Sequence, residues 1–221
     1  MEWTWALAPR HPPRVRVRSR VMSRMAASER RGRLVDAAIA VMVREGVSAA
    51  TTRAIVAEAD MPLGSFHYCF RSKEELLVEV IEVITGHTLE RALSEVTGPG
   101  GLEERLRRGM RAYWQHVVEE PDEHRLTYEL THYAARQSGL AVVAERQYQT
   151  YLAANTRLIE ALTDDEGKRL QWEAPVPVLA RYVTAALDGV TLLYLNEGNA
   201  AAAGEALDLV ARHVAGLARP A

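Results

Sequence analysis

Apolar residues recur three and four positions apart along almost the whole chain, and this helical spacing limits the possible folds more than any other feature of the sequence. No segment alternates apolar and polar residues between turn signals, so we expect no β-sheet. The sequence therefore predicts an all-α fold with about nine helices. A clear example of the helical spacing is the run Leu34, Ala37, Ala38, Val41 and Met42.

Cap and turn residues mark where the short N-terminal helices begin and end. Gly46 stands where a helix needs a left-handed C-cap, and Thr51 can cap a short helix after it. Pro62 breaks that helix, and a second short helix is expected at 63–70. Ser72, with a glutamate three residues later, fits the capping box of the next helix. Longer helices are expected at 73–93, 102–119, 122–137, 140–162, 177–196 and 201–217.

The charged residues are divided unevenly along the chain. Residues 1–73 hold 13 Lys and Arg against 6 Asp and Glu, whereas residues 74–221 hold 14 against 23. A basic beginning and an acidic remainder indicate a polyanion-binding end joined to a part with another task. We accordingly divide the chain into a disordered basic arm at 1–27, a small helical domain at 28–75 and a larger helical domain at 76–221.

The arm at 1–27 contains six arginines and three prolines. Two interpretations are compatible with it. The arm would add phosphate contacts or enter a minor groove, or it is an extension without structure that precedes a natural start at Met22 or Met25. Its alternation of Val and Arg matches no arm motif, which favours the second interpretation.

Composition excludes several classes of protein. The single cysteine, Cys69, excludes a disulfide framework and a multi-cysteine zinc site. No apolar run reaches the roughly 18 residues of a membrane span, because Asp188 interrupts the best candidate at 182–195. We therefore expect a soluble cytoplasmic protein with no membrane partner.

The two short helices at 52–59 and 63–70 lie between two other helices and have the layout of a helix-turn-helix. The second helix of this motif must be apolar on one side and offer small or polar groups to the major groove on the other. Phe66 and Phe70 would pin it to the domain core, and Gly64 removes a side chain where the backbone would approach DNA. The outward hydrogen-bonding residues would be Ser65, His67 and Tyr68.

Four short motifs occur in this region, namely Thr51-Thr52-Arg53-x-Ile55, Met61-Pro62-Leu63-Gly64-Ser65, Tyr68-x-Phe70 and Ser72-Lys73-Glu74-Glu75-Leu76. In order and spacing they resemble the DNA-binding domain of the TetR family of transcriptional regulators, over residues 31–82. The larger remainder is similar to the family in length and helix count only. The resemblance implies that the following residues contact DNA: Thr52, Arg53, Leu63, Gly64, Ser65, His67, Tyr68 and Lys73.

The implied roles differ along this set. Thr52 and Lys73 would bind phosphates, and Arg53 would bind a phosphate or a guanine edge. Leu63 stands where many relatives carry a polar or basic residue, so its contact would be apolar, for example with a thymine methyl group.

The second short helix carries the other four residues of the set. Gly64 and Ser65 would lie against the groove, and His67 and Tyr68 would hydrogen-bond phosphates. The order of His67 and Tyr68 reverses the pair that is usual in the family, which leaves their separate roles open. Tyr68 would alternatively pack against the first helix, and Cys69 is interpreted as a small filler.

For the domain at 76–221, the resemblance implies a homodimer and a small effector. Apolar stripes on the last two helices would pair with a second chain in a four-helix bundle, or close the core of their own subunit. A cavity for an apolar or amphipathic effector of unknown identity is expected among the middle helices, where aromatic residues with polar tips are frequent. Asp188 would anchor a polar group of the ligand or cap a neighbouring network. The candidate ligand residues are Trp114, Tyr128, His132, Tyr148, Tyr151 and Asp188.

We expect no metal site, no cofactor and no catalytic centre. His116, His124 and His132 recur every eight residues, a spacing that rotates around a helix instead of lining one face. Glu129 and His132 form one ligand pair where a di-metal bundle needs two.

The sequence thus predicts a DNA-binding transcriptional regulator, a repressor that binds a palindromic operator in double-stranded DNA as a dimer. The alternative is an all-α enzyme or small-molecule-binding protein that does not bind DNA. An activator, or a regulator without an effector, is compatible with the same residues.

Overall fold

The computed structural model of the chain describes residues 26–137, 139–163 and 170–220. The all-α prediction is confirmed, and most of the predicted arm at 1–27 lies outside the described residues. Within the described ranges nine helices follow one another: α1 (Ala27–Glu45), α2 (Thr52–Glu58), α3 (Gly64–Cys69), α4 (Lys73–Val96), α5 (Leu102–Glu119), α6 (Pro121–Arg136), α7 (Ala141–Thr163), α8 (Val176–Glu197) and α9 (Ala200–Gly216).

The expectation of no β-sheet was wrong. Strands β1 (Leu170–Trp172) and β2 (Ala218–Pro220) form an antiparallel pair, with Leu170 opposite Pro220 and Trp172 opposite Ala218. Strands of three residues are too short to show alternation in the sequence, which is why the pattern missed them. The pair holds the end of the chain against the segment that leads into α8.

The caps that start α2 and α4 are those predicted. Thr51 Oγ1 accepts a hydrogen bond of 3.2 Å from the backbone N–H of Ala54, and Ser72 Oγ accepts one of 3.3 Å from Glu75. The capping box is incomplete, because the Glu75 carboxylate accepts from the Arg71 backbone N–H, at 2.9 Å, and not from Ser72. These side chains satisfy backbone donors that the first turn of a helix leaves free.

Gly46 ends α1, but not in the left-handed cap that the sequence predicts. Its φ of 85° is positive, which favours glycine, while its ψ of 160° lies outside the left-handed helical region. The extended ψ turns the chain away into a short 3₁₀ segment at Val47–Ala49. Glu129 of α6 accepts a 2.8 Å hydrogen bond from the backbone N–H of Val47 there.

The core of α1–α4 continues into the second half of the protein. Buried residues of α1–α4 form one cluster with Leu126 and Leu130 of α6 and Val143 of α7. Helix α4 belongs to both parts, since its buried residues extend from Leu76 to Val96. The predicted boundary between 75 and 76 therefore falls within a continuous helix.

A second core lies among α4, α5, α7, α8 and α9. Gly109 of α5 permits the close approach to α4, because a Cβ atom on it would lie 2.5 Å from Val96 Cγ1. The buried members of this core are Val96, Leu106, Met110, Leu162, Val183, Leu207, Ala211 and Val214.

Helix α8 is 22 residues long and, by length and composition alone, apolar enough to cross a membrane. This differs from the sequence prediction, which treated Asp188 as a break. Core helices of soluble proteins also meet these two criteria, and α8 packs against α7 and α9. Part of its apolar surface nevertheless faces outward, together with one residue of α9: Val178, Tyr182, Leu192, Leu193 and Leu209.

Candidate DNA-binding surface and internal cavity

The turn between α2 and α3 is closed by backbone hydrogen bonds. The N–H of Met61 donates to the carbonyl of Val56 at 2.8 Å, and the N–H of Asp60 donates to Ala57 at 3.1 Å. This is a Schellman ending, and Asp60 adopts φ 52° at the position where glycine is usual. Pro62 follows and prevents α2 from continuing. The turn sets α3 as a separate short helix, as a helix-turn-helix requires.

The inner side of α3 is held by two phenylalanines, as predicted. Phe66 and Phe70 are 2% and 1% exposed, with their ring centroids 5.6 Å apart. The guanidinium of Arg31 of α1 lies 4.2 Å from the centre of the Phe70 ring and also donates to Glu75 of α4 at 2.9 Å. Apolar and ionic contacts together fix α3 against α1 and α4.

The outer side of α3 carries exposed groups. Leu63 and Tyr68 are 42% and 69% exposed, His67 is exposed, and Ser65 is half-buried. Tyr68 contacts α1 through the Arg30 guanidinium, 5.0 Å from the Tyr68 ring centre, and stays mostly exposed. These side chains lie at the surface, and the polar atoms of Ser65, His67 and Tyr68 are available to a partner.

Gly64, on the same side, has no internal reason to be glycine. A Cβ atom added to it would meet no heavy atom within 4 Å. Glycine in a helix is less stable than alanine by about 1 kcal/mol. Its conformational freedom is not used either, because its φ is not positive. A glycine here is compatible with the predicted close approach of DNA to the backbone, which stays a prediction.

The other residues predicted to contact DNA begin α2 and α4. Arg53 is exposed and Thr52 is half-buried. Lys73 is half-buried, with its Nζ 5.5 Å from the centre of the Tyr133 ring of α6, and burial lowers the pKa of this lysine. Lys73 therefore also contacts the interior of the protein.

An internal cavity with a volume of about 110 Å³ lies between α4, α5, α6, α7 and α8. Of the six predicted ligand residues, Tyr128, Tyr151 and Asp188 line it. Most other lining residues are apolar. Helix α4 contributes both apolar and polar lining residues: Ile84, Thr85, Thr88, Leu89, Ala92 and Val96.

Asp188 is the acidic centre of a hydrogen-bond network at this cavity. Tyr128 donates to the Asp188 Oδ1 and to its backbone carbonyl, each at 2.9 Å, and Tyr148 donates to Oδ2 at 3.1 Å. Burial and the nearby carboxylate raise the pKa of Tyr128, and they raise that of Tyr148 to about 12. Both hydroxyls therefore remain protonated donors. Within the described residues Asp188 has no Lys or Arg in an ion pair.

Trp114, His132 and Tyr148 do not line the cavity, which corrects the sequence prediction for these three. The Trp114 ring packs on Tyr194 instead, with centroids 4.7 Å apart. His132 is exposed, with Nδ1 2.8 Å from the carbonyl of Tyr128. Tyr148 is 40% exposed and reaches Asp188 from the surface. Each lies on a helix that lines the cavity, but on a face of that helix outside the lining.

The predicted ligand set left out seven polar residues that line the cavity. Tyr113 shares a 2.7 Å hydrogen bond with Thr191, and Asn155 donates to Thr184 at 3.0 Å. Burial lowers the pKa of His124 to about 4, so this imidazole is neutral at pH 7. The signal for Asn155 was available, because this amide lies among the apolar residues Ala154, Leu158 and Ile159. The seven are Thr85, Thr88, Tyr113, His124, Thr127, Asn155 and Thr184.

Comparison with known proteins agrees with this geometry. Residues 34–80 match the bacterial regulatory proteins of the tetR family. The HTH-type nicotine-responsive transcriptional repressor HdnoR of Paenarthrobacter nicotinovorans is 26% identical over 171 residues, which are 77% of this chain and 86% of that protein.

Solved structures show the same fold over most of the chain. The multidrug binding protein EbrR, complexed with imidazole, is 27% identical with a TM-score of 0.59, covering 82% of this chain and 94% of its own. A TetR family member from Streptomyces coelicolor A3 is 26% identical with a TM-score of 0.62, covering 84% and 98%.

A helix-turn-helix on a helical body with an internal cavity defines a DNA-binding transcriptional regulator. The match at 34–80 and the relatives along most of the chain support a transcriptional regulator of the TetR type. Regulators of this family act on DNA operators as dimers with small-molecule effectors, and they are in general not enzymes. The alternative of an all-α enzyme without DNA binding is not favoured.

Proposed function

We propose that this regulator is a cytoplasmic, ligand-responsive repressor that binds a near-palindromic operator as a homodimer. The observation that carries the proposal is the double role of α4. One end of this helix is tied to α3 and α1 through Arg31, and its middle lines the cavity from Ile84 to Val96. A ligand in the cavity thus touches the helix that positions the DNA-binding surface.

This arrangement explains release from DNA in terms of populations. A ligand that prefers a displaced α4 shifts the dimer toward that state by its differential affinity for the two arrangements. A factor of a hundred in operator affinity needs only about 2.7 kcal/mol of coupling. The proposed switch therefore requires a small movement of a packed helix and no refolding.

On the DNA side, α3 would enter the major groove with Leu63, Gly64 and Ser65 first. Tyr68 and His67 would bind phosphates on one flank, and the contacts of α2 and α4 would add Thr52, Arg53 and Lys73. Two such helices must stand about 34–36 Å apart to read successive major grooves, which requires a dimer.

The exposed apolar face of α8 and α9 would form the dimer. Val178, Tyr182, Leu192 and Leu193 lie on one side of α8, and Leu209 of α9 is 61% exposed. Gly189 on the same helix is exposed with open space around it, so a partner helix can approach closely. A patch of this kind on a single chain marks a protein interface.

The effector would be an amphipathic organic amine. Asp188 offers a carboxylate, and the rings of Tyr113, Tyr128 and Tyr151 surround the same space. Such a set attracts a cation through charge and through aromatic faces. The name of the related HdnoR protein, which responds to nicotine, supports this class, since nicotine is an aromatic tertiary amine.

DNA binding is tested by selecting duplexes from a random library and measuring affinity at several salt concentrations. We expect an enriched inverted repeat and a log–log salt slope steeper than about −4, as several phosphate contacts predict. Arg53→Ala should weaken binding, while Arg136→Ala, at the exposed end of α6, should leave it unchanged. Binding without sequence preference would refute the operator model.

The effector class is tested with a matched pair, nicotine and its uncharged lactam cotinine. We expect nicotine to bind more tightly than cotinine and to release the selected DNA. Asp188→Asn should abolish this difference while the fold, measured by circular dichroism, is retained. Equal binding of both compounds to the unmodified protein would exclude an amine-specific site.

A further inference from the structure

A cluster of three metal-ligating side chains lies outside the cavity and the DNA-binding surface. His87 of α4, His116 of α5 and Glu123 of α6 each place one ligand atom within 4.8 Å of those of the other two. None of the three lines the cavity. The cluster joins three helices: His87 lies far from the other two in the sequence, and the turn at Glu120 separates His116 from Glu123. Helical spacing therefore gives no sign of it.

The distances suit a metal ion better than a hydrogen-bond network. Glu123 Oε2 lies 3.4 Å from His87 Nδ1 and 3.4 Å from His116 Nε2. Around a tetrahedral zinc ion with bonds of about 2.0–2.1 Å, neighbouring ligand atoms stand about 3.3–3.4 Å apart. Two of the three edges already have this length.

His116 supplies a second, independent observation. Its side chain is 3% exposed, and among the described residues neither ring nitrogen has a hydrogen-bond partner. A buried polar atom without a partner costs about 1–3 kcal/mol. The Nε2 atom faces the Glu123 carboxylate, and a metal ion between these two groups would bind Nε2 and the carboxylate.

The surroundings of the cluster give a metal ion access from solvent and leave a coordination position open. His87 is about half exposed, and His87 and Glu123 border a surface cleft of about 380 Å³ beside α1. Asp36, Glu120 and Asp122 line the same cleft, so its potential attracts cations. A fourth ligand can therefore come from solvent.

We infer that His87, His116 and Glu123 form a binding site for a first-row transition-metal dication, for which zinc is the probe. Two imidazoles and one carboxylate favour zinc and its neighbours over Mg²⁺ or Ca²⁺, which take oxygen ligands. The ion fastens α4 to α5 and α6. The site is independent of the proposed effector response.

The test is a zinc titration of the tag-free, chelator-treated full chain in competition with a chromophoric chelator. One zinc ion per chain is expected to bind, and excess Mg²⁺ is expected not to displace it. His87→Ala and Glu123→Gln should each weaken zinc binding by at least about tenfold. His132→Ala removes an exposed histidine of α6 outside the cluster and should bind zinc as the unmodified protein does.

Thermal unfolding gives a second measurement that does not depend on the chelator. Zinc should raise the melting temperature of the unmodified chain and of His132→Ala, but not that of His87→Ala. Because His87 is exposed, its replacement leaves the core intact. No zinc binding, or equal binding and stabilisation in His87→Ala and Glu123→Gln, would overturn the assignment.

Discussion

The outer face of α3 and the internal cavity differ in how far their polar groups are paired within the protein. The α3 face is built from one short stretch of sequence, and Tyr68 is 69% exposed there with its hydroxyl available. The cavity is lined by five helices, and several of its polar groups are already paired, such as Tyr128 with Asp188. A partner of the first surface would meet free polar groups, whereas a ligand in the second would compete with internal hydrogen bonds.

Because of this difference, substitutions should have different effects at the two surfaces. A substitution on the outer face of α3 should alter binding and leave stability nearly constant. A substitution at the cavity should alter stability and binding together, because its residues hold one another in place. The following predictions challenge that contrast, beginning with the largest expected effect.

The largest effect is expected at the buried side of α3. Phe70→Ala removes a side chain that is 1% exposed and should lower the free energy of unfolding by about 3–5 kcal/mol. Tyr68→Ala, two residues earlier and exposed, should change it by less than about 1 kcal/mol. Urea unfolding measures both, and similar losses would contradict the two-sided description of α3.

Acidification should destabilise the cavity region. Burial lowers the pKa of His124 from its usual 6.5 to about 4, so the unfolded chain binds the proton first as the pH falls. Stability is therefore complete above pH 6.5 and decreases toward pH 4, with about 2 kcal/mol lost between pH 7 and pH 5. Urea unfolding at the two pH values measures the loss.

The control for this pH effect is His124→Phe, which keeps an aromatic ring beside Tyr113. Its stability should depend less steeply on pH over the same interval. An unchanged slope would assign the effect to other groups, of which His116 is the first, since burial lowers its pKa as well.

Gly64→Ala separates binding from stability on the α3 face. The open space around Gly64 should accommodate the methyl group, and helix propensity should keep stability equal or raise it slightly. Affinity for the selected operator should nevertheless fall by at least about tenfold, or about 1.4 kcal/mol, because the methyl group would separate the backbone from the groove.

Gly32→Ala is the matched control for that substitution. Gly32 lies in α1, is exposed and has the same open space. It should gain the same stability without loss of DNA affinity. Unchanged operator binding in Gly64→Ala would place α3 in a different orientation on DNA.

The smallest effect should come from removing one donor to Asp188. Tyr148→Phe deletes a 3.1 Å hydrogen bond at a residue that is 40% exposed, so stability should change by less than about 1 kcal/mol. Tyr128→Phe removes the more buried donor and should cost more. Thermal unfolding compares the two, and the reverse order would mean that the Tyr148 bond is the main support of Asp188.

Much of the helix-turn-helix was predictable because its signals are local. The caps at Thr51 and Ser72 and the burial of Phe66 and Phe70 follow from residues only a few positions apart. The identity of the DNA contacts stays a prediction. Local geometry explains how the helix-turn-helix surface is built. Which of its groups contact DNA depends on how the DNA docks.

The cavity was predictable in kind but only partly in its residues. Tyr113 faces it and Trp114 does not, although the two are neighbours, because one position turns a helix by about 100°. The rotation of α5 is set by helices that contact it from distant parts of the sequence. For the same reason, the meeting of His116 with His87 and Glu123 could not be read from histidine spacing.

The shared core of α1–α4, α6 and α7 has a consequence for protein engineering. A hybrid made by transplanting only 26–75 onto a foreign sensor would uncover the side chains that Leu126, Leu130 and Val143 shield. A graft that extends through residue 143 would carry its own shield. The unit that could be transferred to another protein therefore extends beyond α1–α4 and includes parts of α6 and α7.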